Sequence, residues 1–297
     1  MSNKLVSVLI NCFNGAYFIN FAIDSVINQT YKKWEIIIWD NLSTDQSEEI
    51  VKNYNDSRIK YYKASTHTTQ YEARKQAMYN CKGDYIAFLD VDDWWDSTKL
   101  EKQIPLFDNS NVGFVCSNAW IVNERKHSKK IAFKKIPKGH VLDDLLIQDF
   151  ITMSSLIVKK EIYFKLDYGF DPSYEIIGDF DLVVRLSMVT DLGSTDEPLT
   201  YYRLHYSNLT YLKMSLDVKE LIKLKNKLQK NTRALKSKNF YIFENNILFN
   251  TGLMHILENN RLGAMSILTK MTSYKHIIKL IIVLCVPKIF LIKLRAQ

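Results

Sequence analysis

The sequence predicts an α/β fold in which a doubly wound parallel sheet occupies about the first hundred residues and helices follow at the C-terminal end. Two observations support this prediction. Short apolar runs, typical of strands buried on both faces, alternate with segments in which apolar residues recur at helical spacing. Such alternation is the pattern of a parallel sheet with crossover helices. From about residue 215 onward, helical spacing prevails.

Four strands and three helices are predicted in the first part. The strands are predicted at Leu5–Ile10, Trp34–Trp39, Arg58–Tyr62 and Tyr85–Leu89. The helices are predicted at Tyr17–Gln29, Gln46–Tyr54 and Gln70–Cys81. A helix at Leu100–Phe107, a strand at Val112–Val122 and a mobile polar loop at Glu124–Lys138 are expected to follow.

The composition is typical of a folded protein rather than a disordered or fibrous one. The chain has 297 residues, 47% of them hydrophobic, with 9 Gly and 5 Pro, which suits one large domain or two smaller ones. The four cysteines lack CxxC spacing and are interpreted as free thiols of a reducing compartment. The N-terminus lacks the pattern of a signal peptide, so we expect a cytoplasmic protein.

The stretch Gly83–Trp95 places three carboxylates directly after an apolar run. Asp90, Asp92 and Asp93 follow the fourth predicted strand, and like charges this close together are costly unless a cation neutralises them. Carboxylate oxygens favour Mg²⁺ or Mn²⁺, and such ions also bind substrate phosphates. The stretch therefore predicts a diphosphate site, although an acidic turn before a helix capped by Thr98–Glu101 is an alternative.

Polar residues at the predicted strand ends are expected to meet at one edge of the sheet. Asn11, Asp40 and Asp90 each stand where a predicted strand ends. In an open α/β sheet, the carboxyl ends of parallel strands border the crevice in which ligands bind. These three residues are therefore candidate contacts of a nucleotide.

Four ordered sequence blocks resemble the family 2 glycosyltransferases. The blocks are Val6–Gly15, Ser25–Tyr31, Glu35–Asp45 and Gly83–Asp93, and the resemblance covers roughly residues 4 to 210. It implies a GT-A fold, in which a Rossmann-like nucleotide-binding half with a parallel sheet leads into an acceptor half with mixed strands. It also implies inverting transfer of a sugar from a nucleoside diphosphate, with Mn²⁺ or Mg²⁺ bound at a DxD motif.

By the same resemblance, Asp90-Val91-Asp92 is the DxD motif. Asp92 is then the direct metal ligand, whereas Asp90 lies nearer to the ribose or to a metal-bound water. The resemblance gives the donor-binding positions as Asn11, Asn14, Asp40, Asn41, Arg74, Asp90 and Val91. Asn41 stands where the family usually has Asp, which weakens a preference for uracil without excluding it. For Arg74, a salt bridge on a helix surface is an alternative to diphosphate binding.

A second block, Ile176–Leu186, resembles the family motif that carries the catalytic base, and Asp179 stands at the position of that base. Capping of the helix that begins there is an alternative role, and both roles are compatible. Tyr201–His205 resembles the family's Tyr-Arg-x-His block. His205 is then a candidate ligand of the metal or the phosphates, and Arg203 a candidate partner of an acid of the site. Candidate acceptor contacts are Trp94, Trp95 and Asp181.

Positive charge is concentrated near the C-terminal end. The net charge is +8, and nine Lys and Arg lie within residues 213–238, which indicates an anionic partner or a solvated helix face. Helices are predicted at Leu216–Leu235, Tyr241–Glu258, Leu262–Met271 and Tyr274–Leu294. We expect a catalytic domain at 1–212, with a nucleotide-binding half at about 1–95 and an acceptor half at about 96–212, and a basic helical region at 213–297.

The last predicted helix, Tyr274–Leu294, has an apolar run that is too short to span a membrane and that lysines interrupt. Basic residues that alternate with large apolar ones are typical of a helix lying in a membrane interface. This segment therefore predicts a peripheral contact with the inner face of the cytoplasmic membrane. Packing on the catalytic domain or on a partner in a homodimer is an alternative.

These observations favour an inverting glycosyltransferase that uses a nucleotide-sugar donor, with a UDP-sugar expected, and extends a surface glycan, with a lipid-linked acceptor expected. A non-catalytic subunit that binds nucleotide-sugars or glycans on the same scaffold is the second hypothesis. Binding of nucleic acid through the lysine-rich helix is the third. We expect no nucleic-acid partner, because the sequence carries no recognition motif for one.

Overall fold

One mixed β-sheet organises the N-terminal part of the chain. The computed structural model describes residues 4–124, 126–205 and 214–286, and in the last range it describes side chains from 216 onward. The strands within these ranges are Val6–Cys12 (β1), Trp34–Asp40 (β2), Ile59–Lys63 (β3), Tyr85–Asp90 (β4), Trp94–Trp95 (β5), Val112–Asn123 (β6), Ser128–Ile131 (β7), Ile157–Lys159 (β8) and Asp191–Leu204 (β9).

Helices connect these strands and continue beyond them. The helices between strands are Ile19–Ile27 (α1), Ser47–Lys52 (α2), Gln70–Met78 (α3), Lys99–Gln103 (α4), Leu142–Leu145 (α5), Lys160–Lys165 (α6) and Gly178–Ser187 (α7). After β9 follow Met214–Leu228 (α8), Thr232–Leu235 (α9), Phe240–Leu257 (α10), Arg261–Leu268 (α11) and Tyr274–Cys285 (α12). None of the helices in the described residues is long and apolar enough to cross a membrane.

The sheet has the strand order β3-β2-β1-β4-β8-β6-β9-β5, and β7 pairs with β6. The strands β3, β2, β1 and β4 run parallel to one another, whereas β8 is antiparallel to both β4 and β6. Side chains on both faces of β1 are buried, as they are in β2 and β4, because helices cover parallel sheets on both sides. The predicted α/β fold, with a parallel sheet that leads into mixed strands, is confirmed.

Several local predictions differ from the structure. The helix predicted at Leu100–Phe107 gives way after α4 to a 3₁₀ turn at Ile104–Asp108, because Pro105 lacks the N–H that would continue an α-helix. Thr98 precedes α4 but makes no capping hydrogen bond from its side chain. The long helix predicted at Leu216–Leu235 is broken, since Asn231 caps a new helix by accepting two backbone N–H groups.

The loop predicted at Glu124–Lys138 is in part a β-hairpin. Residues Ser128–Ile131 of β7 pair antiparallel with Trp120–Asn123 of β6. All four residues of β7 are exposed, so this edge strand lacks the apolar alternation by which a half-buried strand is recognised in a sequence.

The chain packs as two compact units. One comprises Met1–Val141 and Phe150–Asn208, and the other comprises Leu142–Asp149 and Leu209–Gln297. The expected boundary near residue 212 therefore leaves out one segment, because α5 belongs to the helical unit. Hydrogen bonds fix it there: Asn239 donates to the carbonyl of Asp143 at 3.1 Å, and Asn246 donates to that of Ile147 at 3.0 Å.

The second unit is held by polar and apolar contacts between α10 and the helices that follow it. The side-chain oxygen of Asn245 on α10 accepts the backbone N–H groups of Thr272 and Ser273, at 2.9 and 3.0 Å. Gly252 lets α12 approach closely, because a Cβ at this position would lie 2.7 Å from a methyl group of Leu280. A buried cluster at the join of α10, α11 and α12 includes Ile256, Ala264, Ile267, Met271 and Leu280.

A lysine lies in the core of the first unit. Lys99 is completely buried, and its Nζ donates to the carbonyl of Ser155 at 3.2 Å and lies 4.6 Å from the centre of the Trp95 ring. The same carbonyl also accepts a hydrogen bond from Gln103, at 3.1 Å. Burial lowers the pKa of Lys99 to about 7.

Replacing this lysine tests the consequence of its burial for stability. A lysine in the unfolded chain has a pKa of about 10.4. Between about pH 7 and this value, the unfolded chain binds one more proton than the folded chain. The free energy of unfolding of the wild type therefore rises with pH over this range. We expect Lys99→Met to be the more stable protein at about pH 6 to 7, by ~3 °C or more, and its advantage to shrink towards about pH 10. Thermal unfolding across this range measures the difference. Lys82→Met, at an exposed position, is the control. A difference in melting temperature between Lys99→Met and the wild type that stays constant with pH would contradict the lowered pKa of Lys99.

Candidate active site

The carboxyl ends of β1, β2 and β4 bring Asn11, Asp40 and Asp90 to one edge of the sheet, as predicted. Asn11 pairs with Asp90 where β1 meets β4, and Cys12 pairs with Asp40 where β1 meets β2. The amide nitrogen of Asn11 donates to the carbonyl of Gln70 at 3.2 Å, but its Oδ1 is buried with no hydrogen-bond partner. An unpaired buried oxygen favours a polar ligand at this edge.

A carboxylate and an imidazole meet beside these strand ends. Oδ2 of Asp92 lies 2.8 Å from Nε2 of His205, and the ring of His205 stacks on Phe18 with 4.9 Å between the ring centres. The Nε of Arg203 donates to the main-chain carbonyl of Asp92 at 2.8 Å. The loop after β4 is thus tied to the end of β9, and two side chains of the kind that bind metals lie side by side.

Helix α3 contacts Asp90 and Asp179 through two residues that lie about one helical turn apart. Arg74 forms an ion pair with Asp90; the Arg74 side chain is only 6% exposed and that of Asp90 is 31% exposed, so the arginine is buried rather than lying on the helix surface. The hydroxyl of Tyr71 lies 3.1 Å from Oδ1 of Asp179 and 2.6 Å from the carbonyl oxygen of Ile176. Because residues three apart share one face of a helix, α3 joins the strand that ends at Asp90 to the helix that carries Asp179.

The start of α7 is shaped to fit against Tyr71. Gly178 opens this helix, and a Cβ there would lie 2.6 Å from atoms of the Tyr71 ring. The residue at the cap position is Ile177, and no side chain caps the helix. Oδ1 of Asp179 instead accepts the N–H of Phe180 at 2.9 Å. The capping role considered for Asp179 is therefore wrong.

Asp93, the third acid of the loop, is buried and anchors it. Its side chain accepts the hydroxyl of Ser154 at 2.5 Å and the N–H of Arg203 at 3.0 Å. Burial, followed by the nearby charges of Asp92 and Asp90, raises the pKa of Asp93 well above its usual value. This acid is therefore a structural member of the loop rather than a free metal ligand.

The acids of the site act on one another electrostatically. Burial raises the pKa of Asp90, the ion pair with Arg74 opposes this change, and the charges of Asp92 and Asp179 reinforce it. The pKa of Tyr202 is likewise raised, first by burial and then by four nearby carboxylates, those of Asp93, Asp92, Asp90 and Asp179. A bound cation would stabilise the ionised forms of these acids.

The residues present fit a hard divalent cation that a substrate helps to hold. Among the described residues, no group of three or more His, Cys, Asp and Glu side chains is arranged to hold a metal ion. Asp92 and His205 together offer one carboxylate and one imidazole nitrogen. Mg²⁺ is commonly bound by one or two protein carboxylates together with substrate phosphates, and imidazole is a common metal ligand. This donor set therefore fits an ion that is bound together with a diphosphate.

Two of the candidate nucleoside contacts are occupied in holding loops. Asp40 is completely buried; it accepts the N–H of Ser43 at 2.6 Å and the hydroxyl of Tyr61. Asn41 pairs with the backbone of Thr68 in both directions, accepting its N–H at 3.1 Å and donating to its carbonyl at 2.8 Å. These bonds join the turns after β2 and β3, so neither side chain has its full hydrogen-bonding capacity left for a base.

The remaining donor candidates lie near two aromatic rings. Asn14 is exposed and has a φ of 52°, and the next residue, Gly15, touches Val91, since a Cβ on this glycine would lie 2.7 Å from a methyl group of Val91. On the other side of Asn14, the half-exposed ring of Phe13 lies against His67 with 4.3 Å between the ring centres. Sequence reasoning did not select these two rings.

Of the three acceptor candidates, two are buried. Trp94 is half-buried and stacks on Tyr201 with 5.0 Å between the ring centres. Trp95 is 3% exposed and donates its indole N–H to a main-chain carbonyl at 2.7 Å. Asp181 has no exposed surface and forms an ion pair with Arg185 at 2.7 Å. Burial argues against direct contact of Trp95 or Asp181 with an acceptor, which leaves Trp94 as the candidate.

A comparison of the sequence with models of known protein families agrees with the geometry of the candidate site. The sequence model described as glycosyl transferase family 2 matches residues 7–159, which is more than half of the chain. The chain belongs to glycosyl transferase family 2. Membership in this family makes the protein a glycosyltransferase and argues against the second hypothesis, a non-catalytic binding subunit.

Relatives of this glycosyltransferase include named transferases. The Escherichia coli protein WfgD, named UDP-Glc:alpha-D-GlcNAc-diphosphoundecaprenol beta-1,3-glucosyltransferase, is 33% identical over 177 residues, which are 55% of this chain and 69% of the relative. The chain spans 66% and 47% of two other curated relatives. The shared region is thus a large part, but not the whole, of these proteins.

Solved structures share the fold of this glycosyltransferase. The mannosyltransferase PcManGT from Pyrobaculum calidifontis, in complex with GDP-Man and Mn²⁺, has a TM-score of 0.64 at 16% identity and covers 100% of this chain and 85% of its own. S. aureus TarS 1–349, in complex with UDP-GlcNAc, has a TM-score of 0.58 at 15% identity over 89% of both chains. The expected GT-A fold with C-terminal helices is confirmed.

Two contacts of this glycosyltransferase were missed by sequence reasoning. Arg203 was expected to pair with an acid of the site; it pairs with Glu124 at the turn of the β6–β7 hairpin. Tyr71 was not selected, although it stands three residues before Arg74 and helical spacing puts both on one face of α3. No spacing in the sequence pointed to Glu124 as the partner of Arg203, because the segment that begins at Glu124 was predicted to be a loop rather than a hairpin.

Removing the hydroxyl of Tyr71 tests whether this residue positions Asp179. Tyr71→Phe keeps the ring against Gly178 but removes the hydrogen bond, so we expect kcat to fall about tenfold with the KM for the donor nearly unchanged. The loss should therefore appear in kcat rather than in KM, because the hydroxyl of Tyr71 contacts the proposed base rather than the donor.

Tyr79→Phe is the matched control, because Tyr79 ends the same helix and is 73% exposed. Steady-state kinetics from about pH 5 to pH 9 compare the two variants with the wild type. A purely structural role for Tyr71 would lower the amount of folded enzyme but leave the kcat of the folded fraction unchanged, and that result would contradict the positioning role.

Proposed function

We propose that this glycosyltransferase transfers a sugar, with inversion, from a UDP-sugar to a hydroxyl group of a growing, lipid-linked surface glycan. The observation that carries the proposal is the arrangement around α3, where Tyr71 contacts Asp179 and Arg74 contacts Asp90. A carboxylate suited to accept a proton is thereby linked to the acidic loop suited to bind a diphosphate.

Asp179 is the proposed general base. The oxygen of the acceptor hydroxyl forms a bond to the anomeric carbon on the face opposite the diphosphate, and the hydroxyl proton passes to Asp179. The bond from the anomeric carbon to the diphosphate oxygen breaks, and its electron pair leaves with the diphosphate. The transition state resembles an oxocarbenium ion, and the configuration inverts because attack and departure occur on opposite faces.

Asp92 and His205 are the residues proposed to hold Mn²⁺ or Mg²⁺, which when bound supplies positive charge for the departing diphosphate. The neighbouring residues keep this pair in place. Arg203 holds the Asp92 main chain, and Asp93 holds the N–H of Arg203. Asp90, paired with Arg74, is left at the strand end, where a ribose or a metal-bound water is the proposed contact.

The donor and the acceptor are proposed from the relative WfgD, whose name specifies UDP-Glc and a GlcNAc-diphosphoundecaprenol. The rings of Phe13 and His67 offer an aromatic surface for a base beside Asn11, Asn14 and Val91. Because Asn41 is paired with the backbone of Thr68, stacking and backbone groups are the proposed means of recognising the uracil.

Replacement of the two principal acids tests the reaction. Asp179→Asn is expected to lower kcat by a factor of about 10³ with donor binding retained, whereas Asp92→Ala is expected to abolish both the metal-dependent binding of the donor and the transfer. Transfer of radiolabelled glucose to a synthetic prenyl diphosphate that bears GlcNAc measures the rates. Asp108→Asn and Asp108→Ala, at an exposed position, are the matched controls. If Asp179→Asn kept wild-type activity, its role as base would be excluded.

Nucleotide binding can be tested without knowledge of the acceptor. We expect UDP with Mn²⁺ to raise the melting temperature, since a ligand at 100 times its Kd adds about 2.7 kcal/mol to stability. The stabilisation should be absent without metal and absent in Asp92→Ala. Thermal-shift measurements with UDP, GDP, CMP and dTDP, each with and without Mn²⁺, make the comparison. Stabilisation by GDP equal to that by UDP would contradict the proposed donor.

A further inference from the structure

Helix α12 has one face packed within its own unit. Leu280 lies against Gly252 of α10. Nε2 of His276 lies 2.8 Å from the side-chain oxygen of Asn246, which also belongs to α10. Both His276 and Leu280 are buried. The packing alternative considered for this segment thus holds for one side of the helix.

The opposite side of α12 is apolar and exposed. Ile278, Ile281 and Ile282, which we call the isoleucine face, are 55%, 47% and 58% exposed, and Tyr274 is 84% exposed. The spacing of four, seven and eight residues after Tyr274 puts all four side chains on one stripe of an α-helix. Water-exposed helix faces are normally polar, and a contiguous apolar stripe marks an interaction surface.

Positive charge borders the isoleucine face. Lys275 and Lys279 are exposed and, being four residues apart, they form a second row beside the stripe. Residues 214–286 contain twelve Lys and Arg but four Asp and Glu, a net charge of +8. The sequence at 287–297 continues with apolar residues and three more basic ones.

We propose that the isoleucine face docks on an anionic phospholipid surface. The isoleucines enter the boundary between head groups and acyl chains, and Lys275 and Lys279 meet the lipid phosphates, which is the arrangement of amphipathic helices that lie in a membrane interface. The inference goes beyond the proposed reaction. It would bring the protein to the membrane surface at which a lipid-linked acceptor is held.

Charge favours a membrane over a second copy of the chain as the occupant. A symmetric dimer formed through the isoleucine face would use the same patch on both subunits. The lysine rows of the two copies would then lie beside the same contact, and like charges repel. An anionic lipid surface complements the lysines and covers the isoleucines at once.

Co-sedimentation of the full chain with vesicles tests the proposal without any need for turnover. We expect binding to vesicles of phosphatidylcholine with about 30% phosphatidylglycerol, and at least tenfold weaker binding to phosphatidylcholine alone. Ile278→Glu/Ile282→Glu should weaken binding to the anionic vesicles more than tenfold. Lys275→Gln and Lys279→Gln should each weaken it about fivefold.

Val189→Glu is the matched control, because Val189 is 60% exposed and lies in the other unit; it should bind vesicles like the wild type. Circular dichroism and thermal unfolding should be the same for all of the variants, since each altered side chain is exposed. UDP binding in the thermal-shift assay should also be unchanged, so the loss of vesicle binding is separable from a failure of the proposed reaction.

Three outcomes would overturn the proposal. The first is a wild-type chain that does not sediment with anionic vesicles, and the second is a glutamate double variant that sediments as well as the wild type. The third is a concentration-dependent dimer, seen by analytical ultracentrifugation, that the double variant loses, together with a wild type that does not bind vesicles. That result would assign the isoleucine face to a second copy of the chain.

Discussion

The buried contact between Arg74 and Asp90 is the interaction on which the arrangement of the site depends. A guanidinium that is almost fully buried needs a partner, because an unpaired charge in the protein interior is strongly destabilising. The same helix presents Tyr71 to Asp179. Helix α3 therefore couples two parts of the chain that are far apart in sequence, the acidic loop after β4 and the start of α7. Displacement of this helix would move both groups together.

The acidic loop is tolerated because each of its carboxylates has a different partner. Asp90 is paired with Arg74, Asp92 lies beside His205, and Asp93 accepts from Ser154 and from the main chain of Arg203. Buried polar groups are stable when their hydrogen bonds are satisfied. Only Asp92 among these three has a neighbouring imidazole, so it is the acid placed to bind a cation, whereas Asp93 shapes the loop.

Charge and chemistry are distributed differently along the chain. The net charge of +8 carried by residues 214–286 equals that of the whole chain, so the rest of the sequence is balanced. The acids of the site lie in the first compact unit, whereas the isoleucine face and its lysines lie in the second. The basic surface is thereby kept in a separate part of the sequence from the acidic site, and the two can be altered independently.

The sequence by itself determined the alternating strands and helices, the strand ends that carry Asn11, Asp40 and Asp90, and the amphipathic character of the last helix. These features follow from local periodicity and from the way parallel strands place their carboxyl ends at one edge. Only the tertiary structure decided which side chains are buried and what they contact. Trp95 and Asp181 are buried, Asp179 is not a helix cap, and Glu124 is the partner of Arg203. Each of these facts depends on contacts between segments that are distant in sequence, and such contacts leave no periodic signal in the chain.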